Sequence, residues 1–277
     1  MARFVAAAIQ MDSQDSKWGN LEIAERYIRR AADAGANLIV LPETMNYIGR
    51  DMAEEAETLP DGPTFTKIAQ LAWELKVWIL AGSIYEINPD DPQRPFNTAF
   101  LVDPRGVMVA KYSKLHPFDV VLPNGVTSRE SDRVAPGHAV VTVDTEWFRA
   151  GMAICYDIRF PEMFRLMALE GAKLFLVPAN FTVNTGKDHW EILLRARAIE
   201  NECYVVAANQ MGKKPQFTAY GNSMIIDPWG TVIARSSDKP GIILAEIDPE
   251  YVTRVRQSTF TLDNRRPDVY ELNKKRL

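Results

Sequence analysis

Cysteine and histidine are scarce in this chain, two of the first and three of the second among 277 residues. Two cysteines cannot build a disulfide framework, and no Cys/His cluster has the spacing of a structural zinc site, so no metal centre is expected and a reducing compartment fits best. Long apolar runs are missing too. No segment approaches the roughly 20 apolar residues of a membrane-spanning helix. The opening MARFVAAAIQMD carries one Arg before a short apolar run, but that run ends at Met11 and Asp12 follows without a secretory-type cleavage region, so it reads as a buried strand. Nor is there a surplus of positive charge. With 32 basic and 36 acidic residues interspersed, for a net charge of -4, the chain lacks the basic stripe that a phosphate backbone requires. A soluble cytoplasmic protein with neither nucleic-acid nor membrane partner is expected.

What is present is a large apolar fraction, 47% of residues, and a βαβαβ rhythm. Phe4 to Met11, Asn37 to Leu41 and Trp78 to Ile84 read as buried strands. Between them, amphipathic helices present Leu21, Ala24, Ile28 and Ala31, then Ile68, Leu71, Ala72 and Leu75. Asp103-Pro104-Arg105-Gly106 and Asp227-Pro228-Trp229-Gly230 read as hairpin turns. His116 to Gly137 reads as a long loop, the kind that in a compact domain is often functional. Further strands are expected at Ala150 to Tyr156, Leu174 to Val177 and Tyr204 to Asn209, with helices near Met163 to Glu170 and Asp188 to Glu202. No repeat or linker interrupts the pattern, so residues 1–277 are expected to form one domain.

In α/β sheets the ligand crevice lies outside the carboxyl ends of the strands. Glu43 follows NLIVLP, Cys155 ends AGMAIC, and Lys114 lies just after a strand ending near Tyr112. Each has a plain structural alternative: a solvated carboxylate, a core thiol, a surface lysine. Together they form a workable set, in which a cation stabilises a thiolate and a carboxylate carries protons. A Cys-His pair is the rival arrangement, with His116, His138 and His189 available. Cys203, heading CYVVAAN, reads as core packing.

LPET around Glu43, KYSKLH around Lys114 and AICYDIRFPE around Cys155 resemble the catalytic motifs of the nitrilase superfamily of carbon-nitrogen hydrolases, and the resemblance covers nearly the whole chain. NYIGRD at 46–51, FTVNTGKDHWEILLRARAIENECYVVAANQ at 181–210, YGNSMIIDPWG at 220–230 and NRRPDVY at 264–270 are similar to the Nit amidases, more to the deaminated-glutathione amidase type than to the ω-amidase type. HPFDVVLPNG and TSRESDRV depart from both.

That resemblance implies an α/β fold, a four-layer α-β-β-α sandwich, without metal or organic cofactor. It implies subunits paired as a homodimer or homotetramer, with residues 258–277 docking on the neighbour. Cys155 is then the nucleophile on a strained strand-to-helix turn. Lys114 and the backbone N–H of Tyr156 hold the oxyanion, and Glu43 serves as acid and then base. Glu130, in RESDRVAPG, matches an E-S-x-x-x-x-P-G pattern and orients Lys114. Tyr47, Phe181 and Thr182 are expected in the pocket wall. Arg159 is expected to bind a substrate carboxylate, with Arg50, Arg195 and Arg197 as further candidates or structural ion pairs. The implied reaction hydrolyses a small carboxylated amide, of deaminated-glutathione type, to carboxylate and ammonia through a Cys thioester. Alternatives are 2-oxoglutaramate or 2-oxosuccinamate, a carbamoyl compound, a nitrile, or a catalytically silent scaffold.

Overall fold

The computed structural model describes residues 2–121 and 127–275. Residues 1, 122–126 and 276–277, among them part of HPFDVVLPNG and both extremities of the expected 1–277 domain, lie outside the described residues. In chain order the elements are β1 (Phe4–Gln10), α1 (Lys17–Asp33), β2 (Leu38–Val40), α2 (Pro63–Leu75), β3 (Trp78–Glu86), β4 (Phe96–Val102), β5 (Met108–Ser113), β6 (Asp119–Val121), β7 (Thr127–Arg129), β8 (Val141–Asp144) and β9 (Arg149–Met152). Then follow α3 (Pro161–Leu169), β10 (Leu174–Ala179), α4 (Val183–Thr185), α5 (Glu191–Asn201), β11 (Tyr204–Asn209), β12 (Met211–Lys213), β13 (Thr218–Tyr220), β14 (Met224–Ile226), β15 (Val232–Arg235), β16 (Gly241–Ile247) and α6 (Pro249–Thr259).

Two six-stranded sheets form, in the orders β16-β1-β2-β3-β4-β5 and β15-β14-β11-β10-β9-β8. Each has three parallel strands at its centre, β1-β2-β3 and β9-β10-β11, flanked by antiparallel ones. The two-residue period of a strand sorts the apolar residues into two cores. Ala7, Ile9, Ile39, Ile79 and Phe100 face α1 and α2. Their neighbours Ala6, Ala8, Leu38, Leu80 and Leu101 face the second sheet, where Met152, Leu176 and Val206 belong to a core that continues into Phe164 and Met167 of α3 and Leu194 of α5. The result is a four-layer α-β-β-α sandwich. Full burial of each large apolar side chain stabilises it by roughly 1.5–3 kcal/mol, which is why these strands carry apolar residues on both faces.

Three segments differ from the sequence reading. The strand expected to reach Tyr156 stops at Met152. Ala153 N–H still donates to Leu176 O, at 3.1 Å, but the next N–H, of Ile154, donates to the Asp157 carboxylate instead of to a neighbouring strand. The stretch His116 to Gly137 is not a structureless loop: β6 pairs with β7, and a 3-10 turn covers Glu130–Asp132. The helix expected from Asp188 starts earlier, as α4 followed by a wide turn at Gly186–Trp190 and then α5.

Gly82 in β3 controls where β2 leads. The turn leaving β2 lies directly on it, and a Cβ at this position would meet Leu41 O at 2.0 Å and Pro42 O at 2.2 Å. Backbone atoms cannot yield as a flexible side chain does, so Gly82→Ala must push the turn that carries Glu43 away from β3. Overpacking of this kind costs about 1–3 kcal/mol. The expected outcome is a lower melting temperature together with lost turnover; a melt indistinguishable from wild type would show that the turn has room to move.

Candidate active site

The carboxyl ends of the parallel strands of both sheets meet at one edge of the sandwich. Met211 N–H donates to Met11 O, and Gln210 N–H to Ala179 O, so chain leaving β1, β10 and β11 is stitched together there. Glu43 enters this seam from β2. The turn that carries it is held by Thr44 N–H donating to Ser83 Oγ at 2.8 Å, with Thr44 itself in the left-handed region at φ 52°. The buried Glu43 carboxylate accepts from Asn97 Nδ2 (2.8 Å) and Lys114 Nζ (3.0 Å) on Oε1, and from Asn180 N–H (2.7 Å) on Oε2.

Lys114 follows β5 and is buried as deeply, at 2% exposure. Its Nζ also donates to Glu130 Oε2 at 2.8 Å. Glu130 opens the 3-10 turn after β7, and the same oxygen accepts from Phe118 N–H, which fixes the carboxylate from the protein side. Two carboxylates therefore flank one ammonium.

Cys155 sits where β9 has given way to a 3-10 turn, Cys155–Arg159, with φ at 48°. A non-glycine residue in this region stores strain of about 1–3 kcal/mol and persists only where its surroundings impose it. Here Asp157 imposes it. Its fully buried carboxylate accepts from Ile154 N–H at 2.8 Å and Tyr112 Oη–H at 2.7 Å. It also accepts from His116 N–H at 3.2 Å and lies 2.7 Å from His116 Nδ1, while the His116 ring stacks on Phe160. One side chain thus ties the cysteine turn to the segment just beyond Lys114.

Glu43, Lys114, Glu130 and Cys155 all line one cavity of about 180 Å³. Burial and the charge of Glu43 push the Cys155 thiol pKa well above its ordinary range, and Lys114 opposes without prevailing. Burial disfavours the Lys114 ammonium, but Glu130 and Glu43 outweigh it and hold its pKa well above that of a free lysine. The resting set is a neutral thiol beside a permanent cation.

Phe181, Thr182 and the Tyr156 side chain line the same cavity. Tyr156 is the second residue of its turn, where N–H groups have no carbonyl within the turn to bind. Tyr47, expected at the wall, and Arg159, expected to bind a substrate carboxylate, sit one layer behind the wall. Tyr47 packs with Tyr85 and Val134, its Oη accepting from Asp51 N–H at 3.3 Å. Side chains three apart eclipse in a 3-10 turn, so Arg159 lies against the Tyr156 ring; it also covers Phe181, and its Nη2 is 3.1 Å from His189 Nδ1. Arg195 and Arg197 are structural, donating to Gly230 O and Ile158 O and pairing with Glu191 and Glu200. Among the described residues no histidine contacts Cys155: His116 serves Asp157, His189 serves Arg159, and His138 meets the Phe96 ring. Cys203 is buried, donating to Ala172 O and Asn201 O, and burial pushes its pKa up to about 12. Asn97, Asn180, Asp157 and Arg133 went unnoticed in the sequence, although an Asn inside the apolar FNTAFLV and an Asp two residues past the cysteine are both polar groups that burial obliges to find partners.

The carbon-nitrogen hydrolase family model matches residues 5–257. The chain belongs to that family. It is 40% identical to the deaminated glutathione amidase of Synechocystis over 96% of its length and 99% of the relative's. The Caenorhabditis elegans nitrilase and fragile histidine triad fusion protein NitFhit is 39% identical over 98% of this chain, which spans 62% of that longer protein. The NitFhit crystal structure superposes with a TM-score of 0.91, covering 98% of this chain and 67% of that one. Saccharomyces cerevisiae Nit3, a member of branch 10 of the nitrilase superfamily, gives 0.84 at 30% identity, covering 93% and 94% of the two chains.

In this carbon-nitrogen hydrolase the charge on Glu43 is one of the two largest influences raising the thiol pKa. Glu43→Gln keeps the shape and removes the charge, so the thiol pKa must fall, and the midpoint of Cys155 alkylation by iodoacetamide is expected to move to lower pH. A midpoint that stays or rises would mean that burial alone sets the thiol.

Proposed function

We propose that this carbon-nitrogen hydrolase is an amidase that cleaves a small carboxylated amide of deaminated-glutathione type through a thioester on Cys155. The observation that carries the proposal is the double pairing of Lys114 Nζ with Glu43 and Glu130 in the cavity that Cys155 lines. An ammonium held so firmly cannot act as a base. It donates. The base is Glu43, and a thiol that rests neutral needs one at the moment of attack.

Cys155 Sγ attacks the amide carbon while its proton passes to Glu43, and the carbonyl electron pair moves onto oxygen. Lys114 Nζ and the Tyr156 N–H hold that oxyanion, and loss of one such donor costs about 2.7–4 kcal/mol in the transition state. The oxyanion collapses, the C–N bond breaks, and Glu43 returns the proton to the leaving nitrogen. Water then attacks the thioester, giving its proton to Glu43; the C–S bond breaks and the thiol is re-formed. Glu130 orients Lys114 and the substrate amide.

The substrate class follows the relatives named deaminated glutathione amidase. The chemistry corrects one expectation from the sequence: glutathione has only secondary amides, so its deaminated form releases an amine and not the expected ammonia. Ammonia would mark 2-oxoglutaramate or 2-oxosuccinamate instead, which are primary amides. A cytoplasmic location is part of the same proposal, supported by two unpaired cysteines. A homodimer or homotetramer completed by residues 258–277 is supported by the exposed Phe260, Val269 and Tyr270 in that segment.

Wild type is expected to free an amine from deaminated glutathione, and Cys155→Ala to free none; ammonia from the ω-amides with no amine from deaminated glutathione would transfer the enzyme to the other class. Glu130→Gln should melt as wild type does yet turn over about a hundredfold more slowly. Unaltered turnover would remove Glu130 from the chemistry.

A further inference from the structure

An amide-cleaving site that also admits a carboxylate must keep the two ends of its substrate apart. The reacting end here has two carboxylates, Glu43 and Glu130, against the single ammonium of Lys114. A second substrate carboxylate at that end would face like charge across a buried, weakly screened wall. It is favoured only where the cavity offers a cation that is not already spent.

Among the described residues three cationic side chains line the cavity: Lys114, Lys214 and Arg133. Lys114 is committed to Glu43 and Glu130. Lys214 is turned into the protein, its Nζ donating to Asp12 Oδ1 and Ser13 O, both at 2.8 Å. Arg133 has no ion pair with any carboxylate among the described residues. Its guanidinium makes a single hydrogen bond, from Nη2 to Gln216 Oε1 at the long distance of 3.5 Å, which leaves most of its five donors unspent. Its backbone, by contrast, is fixed. Arg133 N–H and Val134 N–H both donate to Glu130 O, at 2.9 Å each, and Val134 is buried against Tyr47 and Tyr85. The turn that aims Glu130 at Lys114 therefore also places an exposed arginine in the cavity wall.

We infer that Arg133 is the specificity-determining residue of this enzyme, binding the carboxylate of a substrate whose scissile amide lies at Cys155. Gln216 is its neutral neighbour and can donate to the same carboxylate through its amide nitrogen. The planar guanidinium suits bidentate carboxylate binding in a way an ammonium does not. The charge pattern then orients the substrate, amide inward and carboxylate outward, because the reverse pose brings the carboxylate to Glu43 and Glu130. This assignment rests on the carboxylated-amide reading proposed above.

The test compares kcat/KM for deaminated glutathione with that for its carboxylate methyl esters, in wild type, Arg133→Gln and Arg133→Lys. Wild type is expected to prefer the acid, and Arg133→Gln to lose roughly tenfold or more of that preference. The loss should appear in KM rather than kcat, with Arg133→Lys recovering part of it. A preference that survives Arg133→Gln, or a loss carried by kcat alone, overturns the assignment. A wild type that cleaves only the uncharged esters overturns the carboxylated-substrate reading itself, and Arg133 with it. That outcome is recognisable before any variant is made.

Discussion

Lys114 draws three distant parts of the chain to one point: its own segment after β5, the Glu43 turn after β2, and the Glu130 turn after β7. Taking an ammonium and a carboxylate out of water costs several kcal/mol per ion, and the cost is offset only where pairing and hydrogen bonding are nearly complete. Here they are. Glu43 has an amide and a backbone N–H beside the ammonium, and Glu130 has a backbone N–H as well. Removal of Lys114 would strand two carboxylates at once, whereas loss of charge on either carboxylate leaves the ammonium a partner. The arrangement also helps to explain why the thiol rests protonated: burial disfavours the thiolate, and the carboxylate beside it opposes the cation that would favour it.

Strain is placed next to this charge cluster. Thr44 and Cys155, non-glycine residues in the left-handed region, sit one beside Glu43 and the other at the nucleophile itself. Both are over-determined, Thr44 by Ser83 and Cys155 by Asp157. The four packed layers supply the rigidity; the ends of the central parallel strands spend part of it holding conformations that isolated chain would leave.

The sheets were legible in the sequence because residues buried on both faces leave uninterrupted apolar runs. NLIVL and LFLV read as strands for that reason. The end of β9 was not legible, because a side chain two residues past the cysteine, not a turn residue, takes the backbone away from its neighbour. The β6–β7 pair was hidden for the opposite reason: three-residue strands that lie largely exposed, Asp-Val-Val against Thr-Ser-Arg, are too short to show a hydrophobic period. Glu43, Lys114 and Cys155 could be singled out from their places at strand ends, and Glu130 from a motif. Tyr47 was expected in the wall because its segment resembles one that flanks the site in the family, and Arg159 was expected to bind a substrate carboxylate because it lies beside the Cys155 motif, but neither ground fixes the direction of a side chain. In the Cys155 turn the three-residue repeat sends Arg159 under Tyr156. The arginine that does reach the cavity, Arg133, sits in RESDRVAPG, a stretch from which only Glu130 had been singled out.

The burial of Cys203 has a practical consequence. Of the two thiols, it is sealed between α5 and α6, held by two carbonyls and with Arg256 Nη2 only 3.4 Å from its sulfur. Cys155 alone opens on a cavity. A small alkylating reagent added to the folded enzyme thus counts one thiol per chain and reports the concentration of competent sites, while the same reagent in denaturant counts both and reports total protein. The ratio is an internal standard for the fraction of any preparation that is correctly folded, and the chain carries it without a label.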